Sequence, residues 1–275
     1  MIDIIDNLID IFSYPFMIRA LTAGSLISLC AALLGVSLVL RRCSMIGDGL
    51  SHVGFGALAV ASALHVAPLA VAIPVVGGVA FLLLRLSESG KIAGDASIAL
   101  VSTSSLALGA IVISKTSGMN VDVYNYMFGS ILSISEYDMY LCVALSAVLL
   151  TLFVFCYDGI FAVTFDQTFA RACGLKAGVY NVVTALLTAL TITLGMRMMG
   201  ALLITSLIIF PPLTSMLVCK KFKTVVLCSA LVSVACFLAG VVLSCLFDTP
   251  AGASVVAANL AVFVVFSVLR ACQIT

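Results

Sequence analysis

Nine apolar runs separated by short polar interruptions divide this chain, at about residues 16–40, 50–65, 67–86, 97–114, 137–157, 178–196, 200–218, 224–246 and 252–270. A helix needs roughly 20 apolar residues to cross a bilayer. The pattern therefore predicts an all-α polytopic membrane protein of about eight to nine transmembrane helices, with residues 1–275 forming one transmembrane domain. The second run is short and glycine-rich, and Pro68 and Pro74 interrupt the third. Short or broken helices are tolerated where they line a cavity or pack on protein, so this region reads as a pore wall. Gly24, Ser28, Ala32 and Gly35, and later Gly77 and Gly78, favour close helix packing. Any one of these glycines reads equally as lipid-facing filler, and the clustering carries the argument.

Two stretches depart from the apolar pattern. At the start, Ile2, Ile5, Leu8, Ile9 and Phe12 share a helical face, which predicts an outside interfacial segment over residues 1–14. Asp3, Asp6 and Asp10 stand where a signal peptide would carry basic residues, so a cleavable leader is not expected. Residues 159–177 form a polar excursion with a short helix. Phe165, Phe169 and Ala172 fall on one side of it, Asp166, Gln167 and Arg171 on others, and Gly174 stops it. Such a helix at a membrane surface is either a docking element for a soluble partner or an ordinary interfacial helix.

Composition supports the membrane reading and excludes several classes. The chain is 63% hydrophobic and 9% charged, against about 25% charged in a soluble domain. A net charge of +1 argues against an electrostatic nucleic-acid binder. Ten of the thirteen Lys and Arg residues fall in alternate connections, at Arg41, Arg42, Arg85, Lys91, Arg171, Lys176, Lys220, Lys221, Lys223 and Arg270. The excess of positive charge marks the cytoplasmic side, which puts the N-terminus outside and the C-terminus inside if all nine runs span the membrane. Only Arg19, Lys115 and Arg197 break the rule. The ten cysteines are scattered with no C-x-x-C pair and read as small hydrophobes. No phosphate-binding loop occurs, since Gly90-Lys91 is followed by Ile92, and no H-E-x-x-H, G-x-S-x-G or kinase set appears. The chain carries no motif for hydrolysing ATP itself.

The chemistry concentrates in Gly47-Asp48-Gly49-Leu50-Ser51-His52. Four residues apart on a helix, Asp48 and His52 stack on one face. They offer a carboxylate oxygen and an imidazole nitrogen, a ligand set that suits Zn²⁺, Mn²⁺ or Fe²⁺. A charge inside a bilayer costs on the order of 3 kcal/mol and persists where it faces a wet or functional interior. Read alone, Asp48 is equally a helix N-cap accepting the amide of Ser51, and His52 a hydrogen-bonded interior histidine. The inferred orientation places both toward the cytoplasmic end unless the Arg41–Gly47 connection dips inward. Asp122, Asn125, Glu136 and Asn259 are weaker candidates, expected at loop ends or in hydrogen bonds between helices.

The run Phe16–Val60, with Arg41-Arg42 upstream of the GD-x-L-SH element, resembles the start of the membrane permeases of the zinc/manganese class of ABC importers. The likeness continues through Tyr126–Leu132, the excursion Phe165–Gly174, and Gly200–Ile204 leading to Pro211. It implies the ABC importer permease fold in a bacterial plasma membrane, a second copy of the chain in a homodimer, a separate ABC ATPase subunit below and an extracytoplasmic metal-binding protein above. It further implies that Asp48 and His52 face the path of a transported divalent metal ion, with no permanently bound cofactor. Phe165, Asp166, Phe169, Ala170, Arg171 and Gly174 would then belong to the helix that couples to the ATPase. The chain departs from relatives in lacking a Pro-Gly step after His52, and in crowding Met196, Met198 and Met199 into one stretch. Those thioethers read as gap fillers. Two rivals remain: a metal channel or gradient-driven carrier using the same pair, and an intramembrane enzyme. The enzyme would need a second ligand or dyad, and the only other histidine, His65, lies at a loop before Pro68.

Overall fold

The computed structural model describes residues 14–89, 94–116 and 136–274, and these are helical nearly throughout. Eleven helices follow in order: α1 Pro15–Leu40, α2 Ile46–Ala63, α3 Pro68–Ser89, α4 Gly94–Lys115, α5 Glu136–Phe155, α6 Tyr157–Phe165, α7 Gln167–Ala172, α8 Ala177–Met199, α9 Ala201–Val218, α10 Phe222–Phe247 and α11 Ala251–Ile274. All nine apolar runs read in the sequence are helices. Eight of them, all except α2, are long and apolar enough to cross a bilayer. Residues 1–13 of the 1–14 segment, Lys91, Asp122, Asn125 and the Tyr126–Leu132 motif lie outside the described residues.

Two helices form the centre. Two thirds of the apolar stretch of α1 and of α8 is buried, against about a fifth for α4 and α5 and 17% for α11. Around α1 pack α5, α8, α9 and α10, while α2 is enclosed by α3, α4, α8 and α9. Small residues set these approaches. The Phe237 ring of α10 lies over Gly24, where a side chain would strike it. Along the same crossing the Ser233 hydroxyl donates to the Ser28 carbonyl at 2.9 Å. In an apolar solvent such close packing and interhelical hydrogen bonds replace the hydrophobic drive to associate.

Two prolines shape α9. Pro211 and Pro212 sit inside it, and a proline has no N–H to bond the carbonyl four residues back. The Ile208 carbonyl thereby loses its helical donor, Pro212. Gly35 of α1 fills the gap, so close that a Cβ there would overlap the Ile208 oxygen. The α8–α9 junction needs a single residue, Gly200, at φ +89°, a conformation glycine adopts without steric penalty.

Helix ends follow from similar economies. At the end of α1, Arg42 turns left-handed and the Cys43 amide returns to the Leu38 carbonyl at 2.9 Å. His65 does the same for α2, where the Val66 amide bonds the Ala61 carbonyl. These are helix-stop turns that satisfy terminal carbonyls. The second histidine is thus an exposed stop residue.

The basic connections gather at one end of the bundle. The Arg41 guanidinium donates to Asn181 Oδ1 at 2.9 Å, Arg85 and Arg171 line one cavity with Asn181, and Lys220 and Arg270 line another. Two of the three exceptions to the charge rule lie at the opposite end and are paired with acids. Arg19 meets Glu136 at 3.3 Å and Arg197 meets Asp138 at 3.1 Å.

Candidate functional site

Asp48 and His52 sit on α2. Between Ile46 and Ala59 every residue of this helix is buried except Asp48 and His52. The helix therefore turns twelve of these fourteen positions into the bundle and leaves open only the two that carry chemistry. Their side chains are 46% and 23% exposed, with Asp48 Oδ2 3.7 Å from His52 Nε2. That is too long for a hydrogen bond. It is close to the ~3.4 Å separating two ligands on one tetrahedral ion at ~2.1 Å. The geometry leaves an oxygen and a nitrogen facing one space.

Asp48 is not the N-cap of α2. The helix begins earlier, with Met45 as the capping position and no side-chain cap bond. Asp48 thus occupies the first turn, where a carboxylate is favoured by the helix dipole without being committed to a backbone amide. Ser51 caps inward instead, its hydroxyl donating to the Asp48 carbonyl at 2.7 Å.

Depth follows from the neighbours. Gly47 lies against the Ile208 side chain, the same residue that faces Gly35, while Gly54 lies against Met196. Gly35 and Gly47 face the same Ile208, so Gly47 stands level with Gly35, five residues or roughly 8 Å in from the Leu40 end of α1, and His52 lies five residues further along α2, roughly 15 Å in. Half of a ~30 Å hydrocarbon core is about that depth. The contact of Gly47 with Ile208 is compatible with Arg41-Arg42 at one end of the bundle and the Asp48–His52 pair deeper within it.

The excursion forms α6 and α7. Asp166 has extended backbone between them and accepts the Phe169 amide at 2.9 Å, capping α7. Gly174 ends the turn at φ +84°. Phe169 is 65% exposed and Phe165 60% exposed. Phe165 also meets Phe161 at 5.0 Å and Phe222 at 5.9 Å between ring centroids, which ties the excursion to the start of α10. Ala170, grouped in the sequence with the docking residues, points inward: it is 1% exposed and packs with Val163 and Ala177. Ala170 anchors α7 and presents nothing to a partner.

The weaker candidates resolve structurally. Glu136 belongs to the Arg19 pair. Asn259 is buried, but its amide donates to the Val255 carbonyl of its own helix at 2.9 Å, not to a neighbouring helix. The sequence reading missed the Arg19–Glu136 and Arg197–Asp138 pairs. Their signal was present as two basic residues that broke the charge alternation and two acids opening α5. Met196 and Met199 are fully buried and Met198 is 4% exposed, as gap fillers. Among the described residues no three His, Cys, Asp or Glu side chains converge on one point.

Comparisons agree across nearly the whole chain. The ABC 3 transport family matches residues 13–270. A high-affinity zinc uptake system membrane protein, ZnuB, from Haemophilus influenzae is 31% identical over 91% of this chain and 96% of its own length. A manganese transport system membrane protein, MntC, from Halalkalibacterium halodurans is 25% identical over 90% of this chain and 84% of its own. Among solved structures, PsaBC from Streptococcus pneumoniae in complex with Fab superposes with a TM-score of 0.84 at 26% identity, covering 97% of this chain and 95% of that one. With eight apolar spans and this architecture, the protein is a multi-pass protein of the cell membrane with the ABC importer permease fold. It belongs to the ABC 3 transport family.

Proposed function

We propose that this chain is the permease subunit of an ATP-driven importer that moves Zn²⁺ or Mn²⁺ from an extracytoplasmic binding protein to the cytoplasm. The observation that carries the proposal is the opening of Asp48 and His52 alone on the otherwise buried Ile46–Ala59 stretch of α2. Two copies of the chain meeting along this face would bring two oxygens and two nitrogens together. That set suits a four-coordinate Zn²⁺, or Mn²⁺ with added water. The ion is cargo and must leave, so the site binds transiently. The zinc-uptake relative from Haemophilus and the manganese-transport relative from Halalkalibacterium bear names consistent with this reading.

Energy enters from a separate ATPase. In this reading α7 docks on that subunit through Phe169 and Arg171, with Asp166 and Gly174 fixing its ends and Phe165 joining it to α10. A conformational change driven by ATP then reaches α8, on which α6 and α7 pack. The test is uptake of radioactive zinc and manganese into proteoliposomes, with and without the ATPase, the binding protein and ATP. Uptake of one metal only when all are present is the expected result. Uptake by the chain alone, indifferent to ATP, would establish a channel or gradient-driven carrier in its place.

A further inference from the structure

We propose that the cavity between α3, α7 and α8 at the basic end is a binding site for the headgroup of an anionic phospholipid of the cytoplasmic leaflet. This site is separate from the metal path. The cavity encloses about 410 Å³, and its lining includes Phe81, Leu84 and Arg85 of α3, Arg171 of α7, and Asn181 and Val182 of α8. Among the described residues no acidic side chain lines it. Two guanidiniums from separate helices thus face one space, and a third, Arg41, is held at its wall by Asn181 at 2.9 Å. Guanidinium forks match the paired oxygens of a phosphate. Basic pockets between helices on the cytoplasmic side are the physical form that anionic headgroup sites take.

The walls select a lipid over a free anion. Phe81 and Val182 are each 38% exposed, and Leu186, one turn further along α8, is 50% exposed. Leu186 lies beside Gly77 of α3, so the apolar face runs continuously from the arginines toward the bilayer centre. That face offers a track for an acyl chain, which inorganic phosphate would not use. Because Arg171 belongs to α7, occupancy joins the inner leaflet to the segment proposed to meet the ATPase.

The chain contains no tryptophan, so F81W supplies a single fluorescent reporter inside the cavity. The full chain would be reconstituted in bilayers with phosphatidylglycerol or phosphatidylcholine carrying brominated acyl chains. Quenching by phosphatidylglycerol at a lower mole fraction is the expected result. R85Q should reduce that preference about five-fold, the effect of one basic residue near a charged lipid, and R85K, which keeps the charge but loses the fork, should retain more of it than R85Q. Equal quenching by both lipids, or a preference unchanged in R85Q, would overturn the site. Loss of the preference in millimolar inorganic phosphate would show a free-anion site, and no quenching by either lipid would show a face covered by protein. Either result would overturn the lipid assignment. Native mass spectrometry of the chain without F81W gives a second reading. Phosphatidylglycerol retained through delipidation supports the site, and none retained refutes it.

Discussion

His52 and Asp48 define the smallest scale at which this protein can be tested. Their side chains are open while those around them are buried, so shortening either should leave the bundle intact. His52→Ala is expected to reduce metal uptake to background in the complete transporter, with normal yield and melting temperature. Normal uptake would remove the ligand role. Asp48→Asn keeps the shape and deletes the charge, and it should impair uptake as strongly, since the α2 amides at Asp48 have no side-chain cap to lose. The sequence already carried this pair by its spacing. It could not say which of two readings held for Asp48, because a carboxylate three residues before a serine suits a cap and a ligand alike. The true start of α2 at Met45, one turn earlier, removes the cap reading.

Among elements, α1 and α9 show how little freedom the packing leaves. Gly35 approaches the Ile208 carbonyl that Pro212 leaves without its helical donor. Gly35→Val should therefore lower stability by roughly 1–3 kcal/mol, as overpacking a close-fitting interior does, and a thermal melt in detergent would measure it. A melting point equal to that of the unaltered chain would mean the helices separate without cost. The α5–α8 link gives a second check. Arg197 and Asp138 pair at 3.1 Å, so either single reversal, R197D or D138R, should lower the folded yield, and the double reversal should restore it. At α7, Phe169→Ala should weaken co-purification of the ATPase several-fold while Ala170→Gly should act through stability instead, because one side chain is exposed and the other buried. Apolar run length made these helices legible from the sequence to within a few residues. Burial on each face was not legible, since lipid-facing and core-facing residues are equally apolar. That is why Ala170 was grouped with its exposed neighbours.

For the whole molecule, the distribution of charge outlasts any single contact. Arg41, Arg85, Arg171, Lys220 and Arg270 occupy one end, while Arg19 and Arg197 at the other are balanced by Glu136 and Asp138. A cell that keeps its interior electrically negative therefore holds the protein in one orientation by its resting voltage. Each elementary charge carried outward across 100 mV costs about 2.3 kcal/mol. Inverting the chain would drag the whole basic end against that field, with almost no unpaired positive charge at the far end to offset the work. The voltage that energises the membrane thus also acts as a lock on the direction in which this protein faces.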